Sequence, residues 1–265
     1  MQSLRHAKWM AKPVVITRPI AQAETFAQRV AALGRSAIVF PLLEIKPLAD
    51  PAPLHAALAD LKRYAMVAFV SPNAIDATFG IVKDWPRQVV LAVVGEGSKA
   101  ALARHGLTSA NAEIVSPVDP TRTDSETLLQ VLNLSALQGK RVLIVRGETG
   151  RELLADALRG AGIDVVQVAA YRRNAPELSA GLRMQLAELA DSDNDWIITS
   201  SEALRNLLQM TKQVLGDAGV SKMLQQKLII SHMRIEETAR ALGFRNITLT
   251  GSGDEQLLAA LQFSQ

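Results

Sequence analysis

The chain has 265 residues, 48% hydrophobic and 21% charged, a globular composition with room for one large or two ordinary domains. It contains no cysteine, which excludes disulfides, thiolate metal sites and a cysteine nucleophile, and which fits a reducing, cytoplasmic setting. The net charge of +3 is mild and has no basic tract or aromatic interleaving, so nucleic-acid binding is not expected, and no apolar run reaches the roughly 18 residues of a membrane span.

The first residues, MQSLRHAKWMAK, carry charges but no apolar core, so no secretory signal is expected; Met10 reads as an alternative start, and residues 1–12 are set aside. Val14–Thr17 then reads as a strand. A helix follows from about Ala23 to Leu33, stopped by Gly34, and Ile38–Phe40 is a second strand. Further short apolar strands are expected at 66–70, 89–94, 141–145, 164–168, 196–199, 228–231 and 247–250. Most lead into amphipathic stretches, several of them closed by a glycine: Gly106, Gly162 and Gly243. Continuous apolar strands alternating with helices imply parallel sheets covered on both faces.

The order of elements repeats. VVITRPIAQAETFAQRVAALG (14–34) aligns with VLIVRGETGRELLADALRGAG (142–162), placing Arg18 on Arg146 and Gly34 on Gly162. AFVSPNAIDATF (68–79) matches WIITSSEALRNLL (196–208), with Ser71 near Ser200, and AVVGEGSKAALARHGL matches IISHMRIEETARALGF (229–244). Two similar α/β domains are therefore expected. PLLEIKPL (41–48) and the extended QVAAYRRNAP (167–176) occupy equivalent places in the two repeats. Read as crossings, they divide the chain into a discontinuous domain of residues 1–40 and 175–265 and a second domain of residues 49–166. Segments 41–48 and 167–174 are then expected to pair as an antiparallel ribbon.

In open parallel sheets ligands bind beyond the carboxyl ends of the strands. Thr17-Arg18, Ser71-Pro72-Asn73, Gly95-Glu96-Gly97-Ser98, Arg146-Gly147, Thr199-Ser200-Ser201 and Ser231-His232 fall there. They supply small hydroxyl groups, helix N-termini and arginines, which suit carboxylates or phosphates. They supply no nucleophile–base pair, no paired carboxylates and no histidine cluster for a metal. Ser71, Ser200 and Ser201 also serve as plain helix caps, and Lys99 as a solvated helix residue. The turn Gly95–Ala100 fits the dinucleotide pattern G-x-G-x-x-A, but it does not open a domain, Glu96 places negative charge at the turn, and the second repeat has His232-Met233-Arg234 instead. The glycines are expected to let the backbone approach another anion.

Together VVITRP (14–19), FPLLEIKPL (40–48), AFVSPNAIDATF (68–79), VVGEGSKAAL (93–102), VLIVRG (142–147), Tyr171-Arg172, IITSSEAL (197–204) and SHMRIEETARALGF (231–244) resemble the uroporphyrinogen-III synthases over nearly the whole chain. The resemblance implies two flavodoxin-like parallel-sheet domains joined by a two-stranded antiparallel linker. It implies a cyclising hydro-lyase that takes hydroxymethylbilane, a linear tetrapyrrole with eight carboxylates, to uroporphyrinogen III with inversion of ring D and loss of water. Neither cofactor nor metal is implied, and a monomer is expected. Ser71, Ser98, Tyr171, Ser200 and Ser201 match cleft positions of the family; Ser98 stands where a threonine is common. His232-Met233-Arg234 departs from the family's small residues, with Arg234 offering a carboxylate partner.

Arg18, Arg146 and Arg172 are expected to supply positive potential, with Gly95 and His232 completing the set of substrate contacts. Only two tyrosines exist: Tyr64 precedes a buried strand and reads as packing, whereas Tyr171 lies on the crossover. A phenol with a pKa of about 10 is protonated at neutral pH, so Tyr171 is the candidate donor to the departing hydroxyl. It reads equally as a hinge tyrosine packed on the ribbon. The alternative for the whole chain is a non-catalytic two-domain binding protein for a small polyanion.

Overall fold

The structure, a computed structural model, describes residues 12–118 and 124–262; Met10 lies outside them. The chain divides into two compact units. One comprises the residues up to Glu44 and those from Ala175 onward, the other Ile45–Asn174.

In the first unit, strands β1 (Val14–Ile16), β2 (Ala37–Val39), β9 (Asp195–Ile198), β10 (Lys227–Ile230) and β11 (Ile247–Leu249) lie in the order β11-β10-β9-β1-β2, all neighbours parallel. Val14, Val15 and Ile16 are wholly buried because both faces of the sheet are covered. On one face lie α1 (Ile20–Ala32) and α11 (Asp254–Gln262). Ala23, Phe26 and Val30 recur at helical spacing and pack in one cluster with Ile16, Leu257 and Leu261. The helix ends before Gly34, whose φ of +75° suits glycine. On the other face α8 (Ala180–Asp191), α9 (Ser201–Met223) and α10 (Met233–Ala241) bring Leu186, Leu204, Leu207 and Ile235 onto Trp196 and Phe40. Helix α9 is interrupted at Gly216, where φ is +65°.

At the amino ends of these strands Arg35 and Asp195 form a buried ion pair, Nη2 to Oδ2 at 2.6 Å, with side chains 2% and 1% exposed. The guanidinium also donates to the main-chain oxygens of Lys12 and Leu261. Nearby, Gln226 Oε1 accepts from the main chain of Asn194 and from Trp196 Nε1, each at 3.3 Å, and Gln226 Nε2 donates to Ser192 O at 2.8 Å.

The second sheet comprises β3 (Glu44–Lys46), β4 (Met66–Phe69), β5 (Val90–Val93), β6 (Ile114–Val115), β7 (Arg141–Gly147) and β8 (Asp164–Asn174) in the order β3-β8-β7-β4-β5-β6. The pairs from β8 to β6 are parallel. Helices α2 (Ala52–Leu58), α3 (Pro72–Ile81) and α4 (Glu96–Arg104) cover one face through Leu54, Ile75, Phe79 and Leu102. Helices α5 (Ser125–Val131) and α7 (Leu153–Gly160) cover the other through Leu128, Leu154 and Leu158, and the short α6 (Leu134–Leu137) packs beside them. Tyr64 is buried in the first of these cores, as its position before β4 suggested, and its hydroxyl accepts from Arg63.

The repeat has a topological counterpart. Strands β2, β1, β9, β10 and β11 occupy the same successive places in their sheet as β8, β7, β4, β5 and β6 in theirs. Numbered within the first unit, the order is 2-1-3-4-5, the flavodoxin-like arrangement. In the second unit the same arrangement is entered at β4, so its chain order is circularly permuted.

The two segments expected to pair are neighbours in this sheet. Residues 44–46 form β3 at the sheet's edge beside β8, and β8 runs unbroken for 11 residues. Residues 167–174 therefore continue the strand expected at 164–168. Up to Tyr171 that continuation is paired with β7, and β3 is the neighbour of β8 on the other side.

Candidate functional site

A flavodoxin-like sheet has a switch point where crossovers depart to opposite faces, and ligands bind beyond the carboxyl ends there. In the second unit it lies between β7 and β4, because α7 and α3 cover opposite faces. In the first it lies between β1 and β9, followed by α1 and α9.

Ser71 follows β4 and caps α3, its Oγ accepting from Ala74 N–H at 3.2 Å. Tyr171 reaches it from two strands away. The β7–β8 register runs Val145↔Val168 and Arg146↔Ala169, then Gly147↔Tyr171, so Ala170 is the extra residue of a bulge. The bulge places Tyr171 opposite Gly147, and the phenol spans β7 to lie 3.0 Å from Ser71 Oγ. The residue is 5% exposed, and its carbonyl accepts from Glu148 N–H at 2.8 Å. When Ser71 Oγ accepts from Ala74 N–H and donates its own hydrogen bond to the phenol oxygen, the Tyr171 hydroxyl keeps its proton for a third partner.

Beside this pair, α4 opens at Gly95 without a side-chain cap, leaving first-turn N–H groups unanswered by any cap. Gly95 has φ 162°, extended backbone that any residue adopts, and a Cβ on Gly97 would meet only Pro72 Cγ at 3.9 Å. Ser98 is tucked beneath the first turn at 2% exposure, and Lys99 pairs with Glu96 at 2.7 Å on the outer face.

Arg146 is committed within its own unit. Nη1 meets Glu152 Oε1 at 2.5 Å and Gln167 Oε1 at 2.8 Å, and Gln167 Nε2 donates to Glu152 Oε2 at 2.6 Å. The hydrogen bond from Gln167, then that from Arg146, hold the Glu152 carboxyl below its ordinary value. Arg146 thus clamps the turn after β7, and neither Glu152 nor Gln167 was anticipated. Arg172 has its Nε buried without a hydrogen-bond partner among the described residues.

In the first unit Ser200 caps α9, accepting from Glu202 N–H at 3.2 Å and Ala203 N–H at 3.4 Å. Ser201 Oγ lies 3.0 Å from Thr238 Oγ1. His232 caps α10, its Nδ1 accepting from Arg234 N–H at 3.1 Å, and the Arg234 residue is exposed. Arg18 pairs with Asp254 at 2.7 Å and lies 4.6 Å over the Phe26 ring. Thr17 Oγ1 is buried, donating to Ile197 O at 2.7 Å. The turn from β11 to α11 also belongs to this edge. Thr250 Oγ1 donates to Ile230 O and Ser252 Oγ to Ser231 O, a turn that the run Thr250-Gly251-Ser252-Gly253-Asp254 after an expected strand could have signalled. No helix among the described residues is long and apolar enough to cross a membrane.

The family model described as uroporphyrinogen-III synthase HemD matches residues 24–252. The chain is 32% identical over 254 residues to the uroporphyrinogen-III synthase of Salmonella typhimurium, spanning 94% of this chain and 99% of that one. It is 31% identical over 257 residues to that of Escherichia coli, with the same coverage. Among solved structures, a mutant uroporphyrinogen III synthase from the extremely thermophilic bacterium Thermus thermophilus gives a TM-score of 0.57 at 17% identity, covering 95% of this chain and 96% of that one. The uroporphyrinogen-III synthetase of Helicobacter pylori 26695 gives 0.55 at 16% identity, covering 96% and 99%. These structural likenesses are likenesses of fold.

Proposed function

The chain belongs to the uroporphyrinogen-III synthase family, enzymes of tetrapyrrole biosynthesis, and we propose that it performs the family's reaction at the carboxyl edges of its two sheets, with Tyr171 as proton donor. The observation that carries the assignment is the Tyr171 hydroxyl, 3.0 Å from Ser71 Oγ at a switch point.

Hydroxymethylbilane loses its terminal hydroxyl as water when a proton reaches that oxygen, leaving a cationic azafulvenium electrophile on ring A. The substituted carbon of ring D attacks it, giving a spiro intermediate that reopens and closes with ring D inverted. Tyr171 supplies the first proton, and the proton released when the last pyrrole is restored balances it. The pyrroles carry the positive charge of the intermediate, so the protein's task is to fold the substrate and orient its ends.

The eight carboxylates are shared among many contacts. The uncapped head of α4 at Gly95, the heads of α3, α9 and α10 with Ser71, Ser200, Ser201 and His232, and the side chains of Arg172 and Arg234 take them. Arg18 and Arg146 add positive potential from within their ion pairs, and Ser98 supports the α4 turn from beneath.

Incubation with freshly prepared hydroxymethylbilane, followed by separation of the product isomers, is expected to give the type III isomer. Tyr171→Phe keeps the ring and removes the donor. General acid catalysis contributes about 10²–10⁴-fold, so turnover should fall by about tenfold or more with folding intact. Near-normal turnover would assign the proton to water or to the substrate.

A further inference from the structure

Gly147 sits between the Arg146 clamp and the loop after β7, and nothing about its main chain calls for glycine. It is absent from the glycines of positive φ, so it is not there for backbone freedom. What it lacks is a side chain. A Cβ at this position would lie 3.1 Å from Tyr171 Cζ, 3.2 Å from its hydroxyl oxygen and 3.3 Å from Cε2. We infer that Gly147 is a positioning residue for the reaction: its bare backbone is the seat across which the Tyr171 ring reaches Ser71, an inference that rests on the role of Tyr171 proposed above.

Carbon atoms in contact settle about 3.5–4.0 Å apart, so a methyl group at residue 147 would push the ring back by about 0.5 Å. The ring has little room to yield. It belongs to the same buried cluster as Phe69, Ala74 and Val145, and its carbonyl is held by Glu148 N–H. The displacement therefore falls on the hydroxyl, whose 3.0 Å approach to Ser71 Oγ would stretch to about 3.5 Å, where a hydrogen bond is effectively lost. The bulge belongs to the same device: in an unbroken register Ala170 rather than Tyr171 would stand opposite Gly147, and no phenol would cross β7 there.

Two cycles test this. In the kinetic cycle, Gly147→Ala should lower kcat by about tenfold or more with KM within about twofold, and adding Tyr171→Phe should cause no further loss. Wild-type turnover by Gly147→Ala beside a slow Tyr171→Phe enzyme would overturn the inference and leave the donor role standing; additive losses would overturn it too. In the stability cycle, Gly147→Ala should lower Tm in the wild-type background and leave it unchanged or raised in a Tyr171→Ala background. Equal losses in both backgrounds would overturn the seating of the ring. Folding of the double variant where Gly147→Ala alone does not fold counts in favour, and failure of both counts against. Normal turnover by Tyr171→Phe alone would sink the donor reading and the catalytic part of this inference, while the Tm cycle still decides whether Gly147 seats the ring.

Discussion

Replacing Asp195 by alanine removes the carboxylate that faces Arg35. The guanidinium would keep its bonds to the main-chain oxygens of Lys12 and Leu261 but would lose its counter-charge while remaining 2% exposed. Lys227, whose ammonium lies 3.7 Å from the other Asp195 oxygen, would lose a neighbour as well. Breaking a buried pair from one side typically costs about 3–5 kcal/mol, because the remaining charge is left in a poor solvent. For a unit of this size that corresponds to a fall in Tm on the order of 10 °C. Scanning calorimetry reads the shift, and it should change little with salt because water and ions do not reach the pair. The Arg35→Met, Asp195→Leu double variant should lose less than Asp195→Ala alone, since the buried guanidinium is then not stranded. A loss of less than about 1 kcal/mol for Asp195→Ala, as an exposed pair would give, would refute the argument.

Gln226→Leu should cost about 1–3 kcal/mol in denaturant unfolding, because the buried donors of Asn194 and Trp196 lose their acceptor. Gly216→Ala should lower stability by about 1–2 kcal/mol, since φ there is +65°. Glu152→Gln should lower Tm at neutral pH and converge with the wild type in acid. The Glu152 carboxyl is held below its ordinary 4.5, so its contribution is complete above that value and is lost as pH falls through the lower folded value. A gap between the two proteins that persists well below pH 4.5 would contradict the clamp.

Strands such as Val14–Ile16 and Lys227–Ile230 were legible because buried parallel strands are continuous apolar runs. Glu44–Lys46 was legible through its expected pairing with residues 167–174, which three residues on their own would not have suggested. Residues 167–174 read as an extended ribbon strand from their place in the repeat and the following X-Pro; that they continue β8 unbroken was not legible, since it depends on pairing with β7. At the site, Ser71, Ser200 and His232 were legible as helix heads because capping is local. The commitment of Arg146 to Glu152 and Gln167 was not, since that bond depends on how a loop folds back on β8. Gly147 was legible only as a residue at a strand's carboxyl end, because its meaning comes from a ring placed opposite by a bulge in another strand.

The interleaving of the two units sets an order on synthesis. β1, α1 and β2 leave the ribosome early, but the neighbour that β1 needs on its other side, β9, follows roughly 180 residues later. At about 5–20 residues per second the wait is about 10–40 s. Residues 45–174 emerge meanwhile as one contiguous stretch and can close their own sheet. The nascent chain thus carries a finished globule on a tether whose Val14-Val15-Ile16 edge is still open to any passing strand, and Arg35 travels without Asp195 for the same interval. Translation speed through residues 175–198, and shielding of the first 40 residues by chaperones, should therefore govern the yield of native protein more than the intrinsic folding rate of either sheet.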